Sequence, residues 1–198
     1  VGEEMERFGV QLWLAPALNI HRSIRCGRNF EYYSEDPLVS GKMAAAMTRG
    51  VQAHKGCGTT IKHYAANNKE YNRTRNNSMV SERAMREIYL KGFGICVRES
   101  QPKAVMTSYN LLNGTHTAEH RGLIMDILRA EFGYEGIVMT DWVTAMAGDS
   151  RSANRDSQAQ LVAAAGGDLF MPGNKGDYDN LLQGIDSGAV TLEQVKIN

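Results

Sequence analysis

GIVMTDW, residues 136–142, is the stretch on which the fold turns. Three apolar residues, Ile137, Val138 and Met139, are followed at once by Thr140, Asp141 and Trp142. A short apolar run rich in β-branched residues reads as a strand buried on both faces, and its abrupt polar end reads as the rim of a sheet. Working outward, four more runs share this form: LWLAPALNI (12–20), CGTTIKH (57–63), AVMTSYN (104–110) and GDLFMPG (167–173). Each closes in polar groups or in a Gly/Pro break.

Helical patterns lie between the runs. After Asp36-Pro37, apolar residues fall at Val39, Met43, Ala46, Met47, Gly50 and Val51, a period near 3.6. Asp36 is suited to capping that helix and Pro37 to its first position, where a missing N–H costs nothing. Ser81 starts a second pattern, with Met85, Ile88, Tyr89, Ile95 and Cys96 on one face. A third covers about 119–132, with Leu123, Ile124, Ile127 and Leu128. Weaker ones follow at about 155–165 and 177–187. Strand–helix alternation implies parallel strands with right-handed crossovers.

Two α/β architectures compete. An open doubly wound sheet usually carries an early Gly-rich phosphate turn, and neither G-x-G-x-x-G nor G-x-x-x-x-G-K-[ST] occurs. A (β/α)8 barrel instead brings polar residues from several strand ends into one mouth. His63, Tyr109, Asp141 and Trp142 stand at such ends. The expected fold class is therefore α/β, an incomplete TIM-like (β/α)8 barrel, with five strands visible where closure needs eight. The opening VGEEMERFG reads as mid-helix, and the missing strands are expected before Val1.

The 198 residues carry 22 Lys plus Arg against 22 Asp plus Glu, so charge gives no case for nucleic acid or an anionic membrane as partner. No apolar run approaches the roughly 20 residues of a membrane span, and no basic n-region before an apolar stretch is visible at the start, so no signal peptide is expected. Cys26, Cys57 and Cys96 fit no zinc spacing and no disulfide framework; they read as reduced buried thiols of a cytoplasmic protein. The sequons at Asn72, Asn76 and Asn113 then read as chance matches. His21, His54, His116 and His120 form no i, i+4 pair, so no metal site is expected.

Four clusters at strand ends or in the following loops hold the chemistry: Arg28-Asn29-Phe30-Glu31, Lys62-His63, Tyr109-Asn110 and Asp141-Trp142. Arg73 follows in the polar stretch NNKEYNRTRNN. Cations and an imidazole donate to hydroxyl oxygens, a carboxylate accepts or attacks, and an indole offers a face for a sugar ring. The set suits a neutral ligand rich in hydroxyls. Plainer readings stand beside it. Asp141 could only cap a helix, Lys62 could be an exposed strand-end lysine, and His63 could be a satisfied core histidine. Arg28 and Arg73 could pair with Glu31, Glu35 or Glu70 on the surface, and Tyr109 and Trp142 could be core aromatics.

Taken in order, LAPALNIHR, GRNFEYYSEDP, KHYAANNKEYNR, VMTSYNLLNG and GIVMTDW resemble the barrel domain of glycoside hydrolase family 3, the β-glucosidase family. The likeness spans nearly the whole chain. It implies a retaining hydrolase that releases a terminal non-reducing β-D-glucosyl or related residue through a covalent glycosyl-enzyme intermediate. By resemblance, Asp141 is the nucleophile, its pKa held low by nearby cations. Arg28, Lys62, His63 and Arg73 hold the sugar, Tyr109 lies near the nucleophile, and Trp142 borders the leaving group. No metal or organic cofactor is implied.

Residues 1–198 would then be a partial N-terminal barrel domain, lacking its first strands and a C-terminal domain. The family's upstream sugar-binding Asp and its later acid/base Glu match nothing here, so the segment alone is expected to be inactive. The N-acetylglucosaminidase branch, marked by K-H-[FI]-P-G-H-G, is disfavoured because Lys62-His63 continues as YAANNKEYNR. Two other readings stay open: a carbohydrate-binding remnant without catalysis, and a Schiff-base aldolase using Lys62.

Overall fold

The computed structural model describes residues 1–142 and 157–198. Four strands form its main sheet: β1 (Leu12–Trp13), β2 (Gly58–Tyr64), β3 (Ala104–Thr107) and β4 (Ile137–Met139). All pairings are parallel, with Leu12 opposite Gly58, Ile61 opposite Val105, and Val105 opposite Val138. The fifth expected run joins beside β4 through a parallel bridge between Met139 and Leu169. Order in the sheet thus follows order in the chain. A doubly wound sheet would reverse direction at a switch point, whereas a barrel adds each strand beside the last. The molecule is an incomplete TIM-like barrel.

Side chains alternate across this arc, as the two-residue period of a strand requires. Ile61, Val105 and Val138 face outward into the main core with Leu18, Phe93, Leu123, Ile124 and Leu128. Ala104, Met106 and Met139 face the other side, with Leu12, Leu14 and Met171.

The helices are α1 (Gly2–Phe8), α2 (Pro37–Gln52), α3 (Lys91–Ser100), α4 (Ala159–Ala164), α5 (Lys175–Ser187) and α6 (Leu192–Ile197). A π-helix covers Gly122–Glu131. Asp36 caps α2 as expected, its Oδ1 accepting from Leu38 N at 2.7 Å, and Ser81 Oγ accepts from Ala84 N at 3.3 Å. Of the pattern at about 155–165, residues 155 and 156 lie outside the described residues.

Two helix faces differ from the sequence expectation. On α2, the face expected in the core is exposed at Val39, Met43 and Met47; of its members Val51 is buried. The buried face is Ser40, Gly41, Ala44, Ala45, Thr48 and Val51. Close approach to α3 decides this. A Cβ on Gly41 would stand 2.8 Å from Ile95 Cβ and 2.9 Å from the Gly92 carbonyl oxygen. Small residues therefore occupy the contact, and apolarity is a poor guide to it. Ahead of α3, Met85–Tyr89 winds as a π-turn, with Leu90 N donating to Met85 O at 2.8 Å. The wider turn puts Leu90, not Ile88, on the face of Met85. Leu90 is buried and Ile88 is 40% exposed.

A second, three-stranded sheet lies beside the strand ends. Asn77–Ser78 pairs in parallel with Leu111–Leu112, which turns back onto Thr115–His116. The turn is Asn113-Gly114, both at positive φ, a hairpin geometry that favours this dipeptide. Ser108 Oγ donates to Ala65 O at 3.1 Å and Ser78 Oγ to Ala66 O at 3.0 Å. The first bond ties the loop after β2 to the loop after β3, and the second closes the loop after β2 on itself.

Candidate active site

Each candidate side chain leaves a strand end or the loop beyond it. Lys62 and His63 directly precede Tyr64, the last residue of β2; Tyr109 follows β3 by two positions; Asp141 and Trp142 follow β4. Arg28 precedes a short 3-10 turn at Asn29–Glu31, and Arg73 begins another at Arg73–Arg75.

All seven meet in one ring of contacts. Asp141 Oδ2 lies 3.9 Å from His63 Nε2. His63 Nε2 accepts from Arg28 Nη2 at 2.9 Å. Arg28 Nη1 stands 3.8 Å from Glu70 Oε1, and Glu70 Oε2 accepts from Arg73 Nη1 at 3.1 Å. The Arg73 guanidinium stacks 4.4 Å from the centroid of the Tyr109 ring. The Tyr109 hydroxyl donates to the Trp142 carbonyl, and Trp142 N donates back to Asp141 Oδ1 at 2.8 Å. Lys62 joins from the side, 3.7 Å from Glu31 Oε2, while Glu31 Oε1 accepts from Arg28 Nε at 2.5 Å.

The plainer readings fare differently against this geometry. Lys62 is not an exposed lysine; its side chain is 16% exposed. His63 is buried, yet its ring bonds a cation instead of packing idly. Arg28 and Arg73 do pair with Glu31 and Glu70, but inside this cluster and not on an open surface. Trp142, 45% exposed, is no core aromatic. Any helix capped by Asp141 would fall outside the described residues.

Electrostatics add a correction. Burial raises the pKa of Asp141 above its ordinary value; the Trp142 amide and then Arg28, Arg73 and Lys62 pull it down without overcoming burial. The cations thus act in the expected direction but do not hold the carboxyl low. Burial also lowers Lys62, against the field of Glu31, and drives His63 well below its ordinary range with help from Arg28, Lys62 and Arg73. The Tyr109 phenol is pushed up to about 12, by burial first and by Asp141 next. Three cations face three carboxylates, an even balance that suits an uncharged ligand. Among the described residues Asp141 Oδ2 is buried and without a hydrogen-bond partner, as is Glu70 Oε1 in the same cluster. Carboxylate oxygens left bare in a polar pocket are rare enough to need a reason.

The chain as a whole matches a known family. The model of the glycosyl hydrolase family 3 N terminal domain matches residues 1–198. The chain belongs to glycosyl hydrolase family 3. β-Glucosidase A of Butyrivibrio fibrisolvens is 54% identical over 141 residues, 71% of this chain and 17% of that protein. Exo-α-(1→6)-L-arabinopyranosidase of Bifidobacterium breve is 42% identical over 98% of this chain and 24% of its own length. The structure of β-glucosidase 3B from Thermotoga neapolitana in complex with α-D-glucose superposes with a TM-score of 0.89 at 42% identity, over 98% of this chain and 27% of that one. The chain therefore spans about a quarter or less of the length of these family 3 proteins.

Three members of this cluster escaped sequence reasoning in these roles. Glu31 and Glu70 were visible only as surface partners, yet they brace Arg28, Lys62 and Arg73 from behind. Asn19, a buried amide inside the apolar run 12–20, bonds both to the backbone and to the ring of His63. Its signal was a polar residue in an otherwise apolar strand end. A cavity of about 1010 Å³ is lined by Cys26, Asn68, Glu70, Tyr71 and Tyr89 among others; it shares Glu70 with the cluster and is lined by none of the seven. Among the described residues no group of three or more His, Cys, Asp or Glu side chains is placed to hold a metal ion, and no helix is long and apolar enough to cross a membrane.

Proposed function

We propose that this chain is part of the N-terminal barrel of a longer retaining glycoside hydrolase, with Asp141 as its nucleophile. The observation that carries the reading is the bare Asp141 Oδ2, buried at a strand end among Arg28, Lys62, His63 and Arg73. A sugar seated there takes hydrogen bonds from the cations while Oδ2 faces its anomeric carbon.

The chemistry is two displacements. Asp141 Oδ2 bonds to C1 as the C1–O bond to the leaving group breaks, and an acid carboxyl from outside this segment protonates the departing oxygen. Water then attacks C1, gives its proton to that same group, and the Asp141 ester opens. Positive charge grows at C1 in both transition states. The ionised Asp141 faces it directly, and hydrogen bonds from Arg28, Lys62 and Arg73 to the sugar hydroxyls strengthen as it forms. Trp142, half exposed, borders the leaving-group side. The family suggests β-glucosides first, and the arabinopyranosidase relative keeps related glycosides in view. The same reading gives the complete protein the remaining strands, an upstream sugar-binding Asp and the acid/base residue. Three free buried cysteines support a cytoplasmic location.

Asp141→Ala in the complete protein tests this. Loss of aryl β-glucoside turnover with the fold retained is expected; activity near wild type rejects the assignment. An unaltered complete protein that binds sugar but turns over no glycoside would instead be a carbohydrate-binding remnant.

A further inference from the structure

His63 sits at the centre of the ring, and its partners leave it one protonation pattern. Asn19 pairs with the His63 backbone at both ends of its amide: Nδ2 donates to His63 O at 2.9 Å, and Oδ1 accepts from His63 N at 2.9 Å. Reversing the amide would set donor against donor and acceptor against acceptor, so its orientation is fixed by the backbone. That same Oδ1 lies 3.3 Å from the ring Nδ1. An amide oxygen only accepts, so Nδ1 carries the hydrogen. At the other side of the ring Arg28 Nη2 lies 2.9 Å from Nε2. A guanidinium only donates, so Nε2 carries a lone pair. The two constraints come from different elements and agree.

We infer that Asn19 is a positioning residue which locks His63 as the neutral Nδ1–H tautomer, making its Nε2 a hydrogen-bond acceptor that aims Arg28 into the sugar site. This deepens the hydrolase reading and rests on it for the sugar. The charged groups around the ring act the same way: Arg28, Lys62 and Arg73 all oppose protonation, and Asp141, 3.9 Å away, is too distant to draw a proton into a bond. The Tyr32 ring closes the remaining side, edge-on at 6.4 Å. Two consequences follow. His63 does not hydrogen-bond Asp141, which keeps Oδ2 bare for attack. His63 also has no Nε2 proton to give a leaving group.

The test reads the ring directly. In the complete protein labelled with ¹⁵N-histidine, the His63 signals, assigned by their loss in His63→Gln, are expected to show a protonated Nδ1 and an unprotonated Nε2 across neutral pH. A protonated Nε2, or an imidazolium at neutral pH, overturns the inference whatever the enzyme's activity. Asn19→Ala, checked for folding by its thermal midpoint, is expected to mix the two tautomers and to lower kcat/KM on the order of tenfold or more through misaimed Arg28. Unchanged ring signals in folded Asn19→Ala would refute the positioning role. If the tautomer is as inferred but no glycoside is turned over, the hydrolase reading fails and the lock stands.

Discussion

A carboxylate with little exposure lies at each end of strand β4, and the two are treated oppositely. Asp168 lies beside its start. Its Oδ2 accepts from Arg129 Nη2 at 2.8 Å and from Val138 N at 2.5 Å, while Arg129 also donates to the carbonyls of Gly136 and Gly166. That end is a closed lock: the acid oxygen and the cation are both engaged. Asp141 lies past the other end. One oxygen takes its neighbour's amide and the other takes no hydrogen bond from the described residues. The molecule can satisfy a half-buried acid beside this strand, and does so at the strand's start. At the rim it leaves an oxygen bare and surrounds it with cations held off by Glu31 and Glu70. In barrels the N-terminal face serves stability and the C-terminal face chemistry, and on the proposed reading this one strand serves both.

Breaking each end separately tests the contrast. Asp141→Ala in the complete protein is expected to cut turnover on the order of ten-thousandfold, as loss of a nucleophile does, while circular dichroism stays unchanged. Asp168→Ala is expected to do the reverse. It strands Arg129 and the Val138 amide and costs about 2–4 kcal/mol of stability, read by denaturant unfolding, with kcat/KM of the surviving folded protein intact. A large activity loss without destabilisation would erase the distinction. Glu70→Gln sharpens the account of the rim, since Glu70 touches both Arg28 and Arg73. The expected loss is about tenfold in kcat/KM, roughly 1.4 kcal/mol, without a matching loss of stability.

Two smaller effects follow from the charge state of Asp141. It must be ionised to attack, and its pKa is raised. The acid limb of the kcat/KM profile therefore lies above the ordinary carboxylate range. Arg73→Met removes one pull that lowers the pKa, so the limb should move to higher pH; movement downward would contradict the electrostatics. A raised native pKa also means that ionised Asp141 costs stability. The cost is absent below the unfolded-state pKa and grows as pH rises through the native one. Asp141→Asn should accordingly melt slightly higher than wild type at neutral pH, with no difference in acid.

The strands were legible because a strand buried on both faces has to be an apolar run, and all five runs found their places in chain order. The clustering of the seven candidates was legible through linked motifs, whose strand-end positions bring them together. Helix faces were less so. Val39, Met43 and Met47 outrank Gly41, Ala44 and Ala45 in apolarity, but packing on Gly92 selects for size. Ile88 was misplaced because spacing alone does not announce a π-turn. Glu31, Glu70 and Asn19 stayed hidden for a different reason. An acid or amide that braces another side chain is defined by a partner far off in the chain, as Asn19 is by His63, and no local pattern records that pairing.

The most direct measurement is mechanism-based labelling of the complete protein with a 2-fluoro β-glucoside, followed by peptide mapping. Label on the peptide that carries Asp141 is the expected result. Label on any other carboxylate, with this peptide unmodified, would contradict the account.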